Sequence, residues 1–237
     1  MICFCEVRCK KLSNVIEGIV VAKSRKYLGY CVVVFDLERK VFHRIISDNF
    51  GCRDGELSDG DCLATNGKSI SNLDVISFSV KSLDYAQDDL QKENLILDSS
   101  RKMEIIRKAD KAELVKLYGE KNLNLMPEIF KNQWGSMTIN DALQCSHSFM
   151  LARVFGLEFY SAPNKNDEYA CKCSFKYNGI EYKDVSVTIS KTKEEDLLKY
   201  AGNRYPNGLV GFSFGHPYEE KCFKYLCSFL GVLPWKK

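Results

Sequence analysis

Between Tyr169 and Ile189 polar and apolar residues alternate around Asn178-Gly179, and the alternation changes phase partway. Asn-Gly is the favoured pair of a two-residue type I′ hairpin, because both central positions need positive φ. Cys171, Cys173, Phe175 and Tyr177 then share one strand face, and Lys172, Ser174 and Lys176 the other. Regular pairing sets Phe175 opposite Tyr182 and Cys173 opposite Asp184. It would also put Val185, Val187 and Ile189 on the lysine face, so no single face could be buried. One extra residue near Lys183–Asp184 removes the conflict, and the sequence predicts a β-bulge there.

The rest of the chain carries matching signals. Val15 to Phe35 alternates poorly, as strands buried on both faces do. A third run, Val41 to Ser47, follows the short turn Asp36–Lys40. A loop-rich stretch with Gly51, Gly55, Gly60 and Gly67 leads to a strand from Leu73 to Lys81. Asp98, Ser99 and Ser100 offer N-caps to Met103, Ile106 and Ala109 at helical spacing, and Asp110 to Gly119 reads as a second helix with a terminal glycine. Pro127 and Gly135 stop any continuation. Leu151 to Ala162 is a strand, and Thr192-Lys-Glu-Glu195 is a capping box opening a helix that ends at Gly202. Gly208–Gly215 and Lys221–Phe229 close the chain as strands. The expected fold class is mostly β with inserted helices: two small OB-like barrels at residues 1–97 and 140–237, joined by a helical connector at 98–139.

With a formal net charge of only +3, a basic field over the whole protein is excluded, and any nucleic-acid surface must be a local patch. Eleven cysteines, an odd number without regular spacing, argue for free thiols in a reducing cytoplasm. The N-terminus lacks the apolar core of a signal peptide, and no apolar run is long enough to span a membrane. Cys3-x-Cys5-x₃-Cys9 and Cys171-x-Cys173 lack the order of a closed zinc site, and His43, His147 and His216 are scattered. No metal or other cofactor is expected. Cys145-Ser-His147 sets a thiol near an imidazole, but such pairs are normally assembled from distant segments, so no catalytic residue is assigned.

Lys23, Ser24, Arg25, Lys26 and Tyr27 gather cations and an aromatic ring at one hairpin, which suits a phosphate backbone. Replacing Arg25 and Lys26 by Glu is expected to weaken binding and leave stability unchanged. Arg44 lies in an apolar strand and needs a partner: a ligand contact converging with Lys23, or a bridge to Asp36 or Glu93, the bridge being preferred. Lys172 and Lys176, with Tyr182, form a second basic-aromatic candidate face. These residues point to a non-enzymatic module that binds single-stranded DNA or RNA together with a protein partner. The alternatives are a sensor of a small nucleotide and a purely structural interaction subunit.

The same motifs give the chain a family likeness. Val20 to Lys26 with its Ser24-Arg25-Lys26 element, His43-Arg44-Ile-Ile-Ser47, Glu93-Asn94, Phe175 to Tyr182, Ser186-Val-Thr188 and Ser213-Phe-Gly215-His-Pro217 occur in an order that resembles the bacterial dual-OB domain family. The chain departs from that pattern at Ile45, which replaces a proline, and at Ile189, which replaces an acidic residue. The resemblance spans roughly residues 18–230. It implies two OB-like barrels and binding of nucleic acid or nucleotide in a defence-type system, with no established catalysis.

Overall fold

The computed structural model describes residues 14–48, 55–125, 128–130, 135–163 and 168–234. Cys3, Cys5, Cys9, Gly51 and Pro127 lie outside them. In the first half, β1 (Val15–Lys26), β2 (Gly29–Asp36), β3 (Phe42–Ile46), β4 (Asp74–Ser79) and β5 (Asn94–Ile96) run in the order β5-β3-β2-β1-β4. β3 and β5 are parallel, and the Val80–Leu97 bridge closes β4 onto β5. The second half repeats the circuit. β8 (Phe149–Pro163), β9 (Tyr169–Tyr177), β10 (Ile180–Val187), β11 (Arg204–Phe214) and β12 (Lys221–Gly231) run β10-β9-β8-β11-β12, and β10 closes onto β12 in parallel. Both are closed five-stranded Greek-key barrels with OB topology.

The connector differs from its sequence reading. The expected helix over residues 98–109 is the edge strand β6 (Glu104–Lys108), paired with β4. Its helix-like spacing arises because an edge strand with one neighbour buries too little to enforce period-2 alternation. The second expected helix is present as α1 (Lys111–Tyr118), N-capped by Asp110 and ended at Gly119. After it come β7 (Ser136–Thr138), on the edge of the second sheet beside β12, and α2 (Ile139–Gln144). In α3 (Lys193–Tyr200) the Thr192 side chain accepts from the Glu195 amide, as the capping box requires.

Three apolar clusters explain the strands without alternation. One fills the first barrel, around Val20, Val32, Val34, Ile76 and Phe78, and one fills the second, around Phe159, Phe175, Tyr182 and Phe212. The third lies between the barrels. There Val21, Val33, Phe35 and Phe42 of β1–β3 meet Leu114 of α1 and Phe149, Leu151, Leu209 and Cys227 of the second barrel. The Phe42 and Phe149 rings pack edge to face at 5.0 Å. β1 and β2 therefore face a core on each side.

The hairpin bulge stands where the phase change puts it. Tyr182 pairs with Phe175 and Val185 with Cys173, so Lys183 and Asp184 intervene. Asp184 takes φ +57°, its amide donates to the Tyr160 hydroxyl, and that hydroxyl donates back to its carboxylate. Val185 and Val187 point inward as a result. Deleting Asp184 should turn both valines outward and abolish cooperative unfolding of the second barrel in urea. Asp184→Gly should stay within about 1 kcal/mol of wild type, because relief of positive φ offsets the lost hydrogen bond.

Candidate nucleic-acid interface

The residues proposed from sequence fall in three places. Lys23 donates to the Ser69 hydroxyl at 2.6 Å and lies over the Tyr30 ring, while Ser24 is buried. β1 runs on through Lys26, so only Tyr27 and Leu28 form the turn, and both are exposed. Arg25 faces the other barrel. Its guanidinium donates to Asp196 at 2.9 Å and to the carbonyls of Ser190 and Val187, and its amide donates to Thr188. Asp196 is fully buried. Arg25 is thus held by acceptors of the second barrel, which explains its position better than a phosphate contact does.

Arg44 is buried and takes the preferred bridging role, with Glu93. Its Nε lies 3.8 Å from the Glu93 carboxylate, and one terminal nitrogen donates to the hydroxyls of Ser148 at 2.7 Å and Ser213 at 2.6 Å. Ser148 in turn donates its amide and hydroxyl to Glu93. Burial opposes the guanidinium charge, but Cys31, Glu93, Cys227 and Asp88 around it outweigh burial and hold it protonated. Arg44 does not converge with Lys23. It pairs with Val33, which faces the other barrel, whereas Lys23 pairs with Val32, which faces the first barrel's interior.

Asp36 has other partners. It accepts from the amides of Glu38 and Arg39, from the Arg39 guanidinium and from His43. Burial raises its pKa, but these bonds outweigh burial and leave it lowered, so it is an ionised acceptor and His43 Nε2 carries the proton. Burial lowers the His43 pKa more than Asp36 raises it.

Lys172 and Lys176 share the outer face of the second barrel, as their alternation predicts. Tyr182 does not join them. It stacks on Phe175 inside the barrel and donates to the Phe130 carbonyl, because the residue opposite an inward Phe must itself point inward. The aromatics on the lysine face include Phe155, opposite Lys176, together with Tyr160 and Tyr225. Tyr160 pairs with Lys172, Lys172 with Ser186, and Ser186 with Tyr225, so one row crosses β8, β9, β10 and β12. Lys172 donates to Ser186 across this row at 2.7 Å, and burial draws its pKa down. The Tyr160 pKa is pushed up to about 12, chiefly by burial. Period-2 alternation against Phe159 and Leu226 was the sequence signal for both tyrosines. Lys176 and Lys183 are exposed nearby, among Glu158, Glu181 and Asp184.

The corresponding strand 1-2-3 face of the first barrel is the one covered by α1 and the second barrel. Among the described residues the second barrel packs on the first through β8, β11 and β12, and no residue of its β9 or β10 belongs to the shared apolar cluster. A separate cleft of about 540 Å³ beside α1 is lined by Lys111, Val115, Glu120, Arg153 and Leu233, among others. Its Arg153 is paired with Glu120, and its Lys111 donates to the Val232 carbonyl. Inside the second barrel, burial lowers the Lys224 pKa to about 8, but its side chain has no access to the open face. Cys31, Cys62, Cys145, Cys171, Cys173, Cys222 and Cys227 are free thiols. Among the described residues no group of three or more His, Cys, Asp or Glu side chains is placed to hold a metal ion, and no helix is long and apolar enough to cross a membrane.

Two closed five-stranded barrels packed face to flank define a tandem OB-fold protein. The chain belongs to the Dual OB-containing domain family, which matches residues 16–228. Solved structures similar to it include the Ifi202 HINa domain in complex with 20-bp dsDNA, at 11% identity and TM-score 0.36, covering 89% of this chain and 90% of that one. The tetrameric p202 HIN2 is similar at 9% identity and TM-score 0.32, covering 90% and 87%. No curated protein matches the chain.

Arg25→Glu should cost about 3–5 kcal/mol in denaturant unfolding, because it leaves Asp196 buried without its cation. This corrects the expectation of unchanged stability. Stability should also fall as pH drops below about 6.5. The unfolded state then takes up a proton that buried His43 resists, so the contribution present at higher pH is lost. His43→Gln should flatten that part of the unfolding profile.

Proposed function

We propose that the protein binds single-stranded nucleic acid across the open outer face of its second barrel. The observation that carries this reading is the row Tyr160–Lys172–Ser186 across β8, β9 and β10, continued by Tyr225 of β12, on an outer face whose β9 and β10 residues stand outside the apolar cluster between the barrels. OB folds engage unpaired strands on this face, with aromatic rings stacking on bases and cations following the backbone. Lys176 and Lys183 flank the row. Lys183 is held by Glu181 at 3.2 Å, so Lys172 and Lys176 are the cations this reading relies on. In this reading the protein is a binding module, an adaptor or sensor that presents a strand to a protein partner.

Lys172→Glu with Lys176→Glu should weaken binding of oligothymidylate and oligouridylate. It should also reduce the slope of log affinity against log salt by about 0.7 for each phosphate that the variant no longer neutralises. Lys176→Glu alone should change stability by no more than about 0.5 kcal/mol. Unchanged affinity and slope in the double variant would reject this face as the site.

A further inference from the structure

The row on the second barrel ends at β12, where the first barrel's β1–β2 turn arrives. A Cβ on Gly215 would come within 3.3 Å of Cε2 of Tyr225, so the tyrosine ring packs close to the glycine backbone at this edge. The Thr188 amide donates to the carbonyl of Leu226, next to Tyr225, while its own carbonyl accepts from the Arg25 amide, and Tyr27, two residues further on, is 52% exposed. Arg25, two residues before Tyr27, ties this end of β1 to α3 through its ion pair with Asp196. Its amide adds a backbone bond to Thr188, directly after β10, and its guanidinium spans Val187, Ser190 and Asp196. A planar guanidinium with several fixed donors can hold such a set in one orientation, whereas an ammonium cannot.

We infer that Arg25 is a positioning residue that docks the β1–β2 turn against β10 and α3, so that Tyr27 of the first barrel extends the second barrel's strand-binding row beyond Tyr225. The site is then composite. A short strand is satisfied by β8, β9, β10 and β12, while a longer one continues onto Tyr27. Neighbouring strands are about 4.8 Å apart, so the four-strand row is only about 15 Å wide. This inference rests on the face proposed above.

The experiment measures affinity for oligothymidylates of about four and about twelve nucleotides, both within the range of site sizes for single OB folds. Tyr27→Ala should weaken the longer ligand by roughly 5- to 100-fold, the loss of one stacked base, and leave the shorter within about twofold. Arg25→Met, which keeps the aliphatic stem, should give the same length-selective loss. The double variant should be no worse than either single one, because both remove the same interaction. Arg25→Lys should restore little. Equal binding of both lengths by Tyr27→Ala and wild type would overturn the inference, and so would an equal loss at both lengths in Arg25→Met. Should wild type bind neither length, the open-face reading itself falls and takes this one with it.

Discussion

A buried guanidinium between two barrels is the constraint on which the architecture depends. Arg44 sits on the first barrel, and its hydrogen-bond acceptors Ser148 and Ser213 belong to the second. Glu93 returns from the first barrel to Ser148 and closes the circuit. A charge without water needs partners for its donors, and the Ser148 and Ser213 hydroxyls reach Arg44 only when the barrels are docked. The apolar cluster around Phe42 and Phe149 adds area to the same interface but leaves its orientation loosely defined. The polar circuit supplies the orientation, and the docking in turn decides which barrel face meets solvent.

Several of the segments on which the family likeness rests gather at this seam, while Phe175, Tyr177 and Tyr182 pack in the second barrel's own core. Arg25, Arg44, Glu93 and Ser213 each contact the opposite barrel or a residue that does, and His216, beside Pro217, reaches Asp88 at 3.1 Å. Taken one at a time, such cations resemble a phosphate grip. Placed together, they join two halves of one chain. The face proposed for a strand takes its aromatic rings, Tyr160 and Tyr225, from outside those motifs.

Legibility followed the range of the interactions involved. The Lys183–Asp184 bulge was visible because a two-residue period cannot change phase without one. The capping box at Thr192 and the glycine after α1 were visible because their bonds close within a few residues. Arg44 was partly legible, since a charge in an apolar strand demands a partner, and Glu93 was among the candidates. Arg25 was not, because its partner Asp196 lies 171 positions away and nothing local distinguishes an anchored arginine from a solvated one. The strand β6 was misread for the opposite reason. Met103, Ile106 and Ala109 have helical spacing by coincidence, and pairing with β4 overrides it.

The two barrels meet head to tail, with strands 1-2-3 of one against strands 1-4-5 of the next. A contact between unlike surfaces of like units has no internal end: each added barrel would offer a fresh 1-2-3 face to another. The corresponding outer face of the second barrel differs in composition from the one buried between the barrels. Where the first barrel presents Val33, Phe35 and Phe42, the second presents Lys172, Lys176 and Glu181. Ionic side chains would make the same apolar contact costly there, so one barrel's face is dry and the matching face of the other is wet.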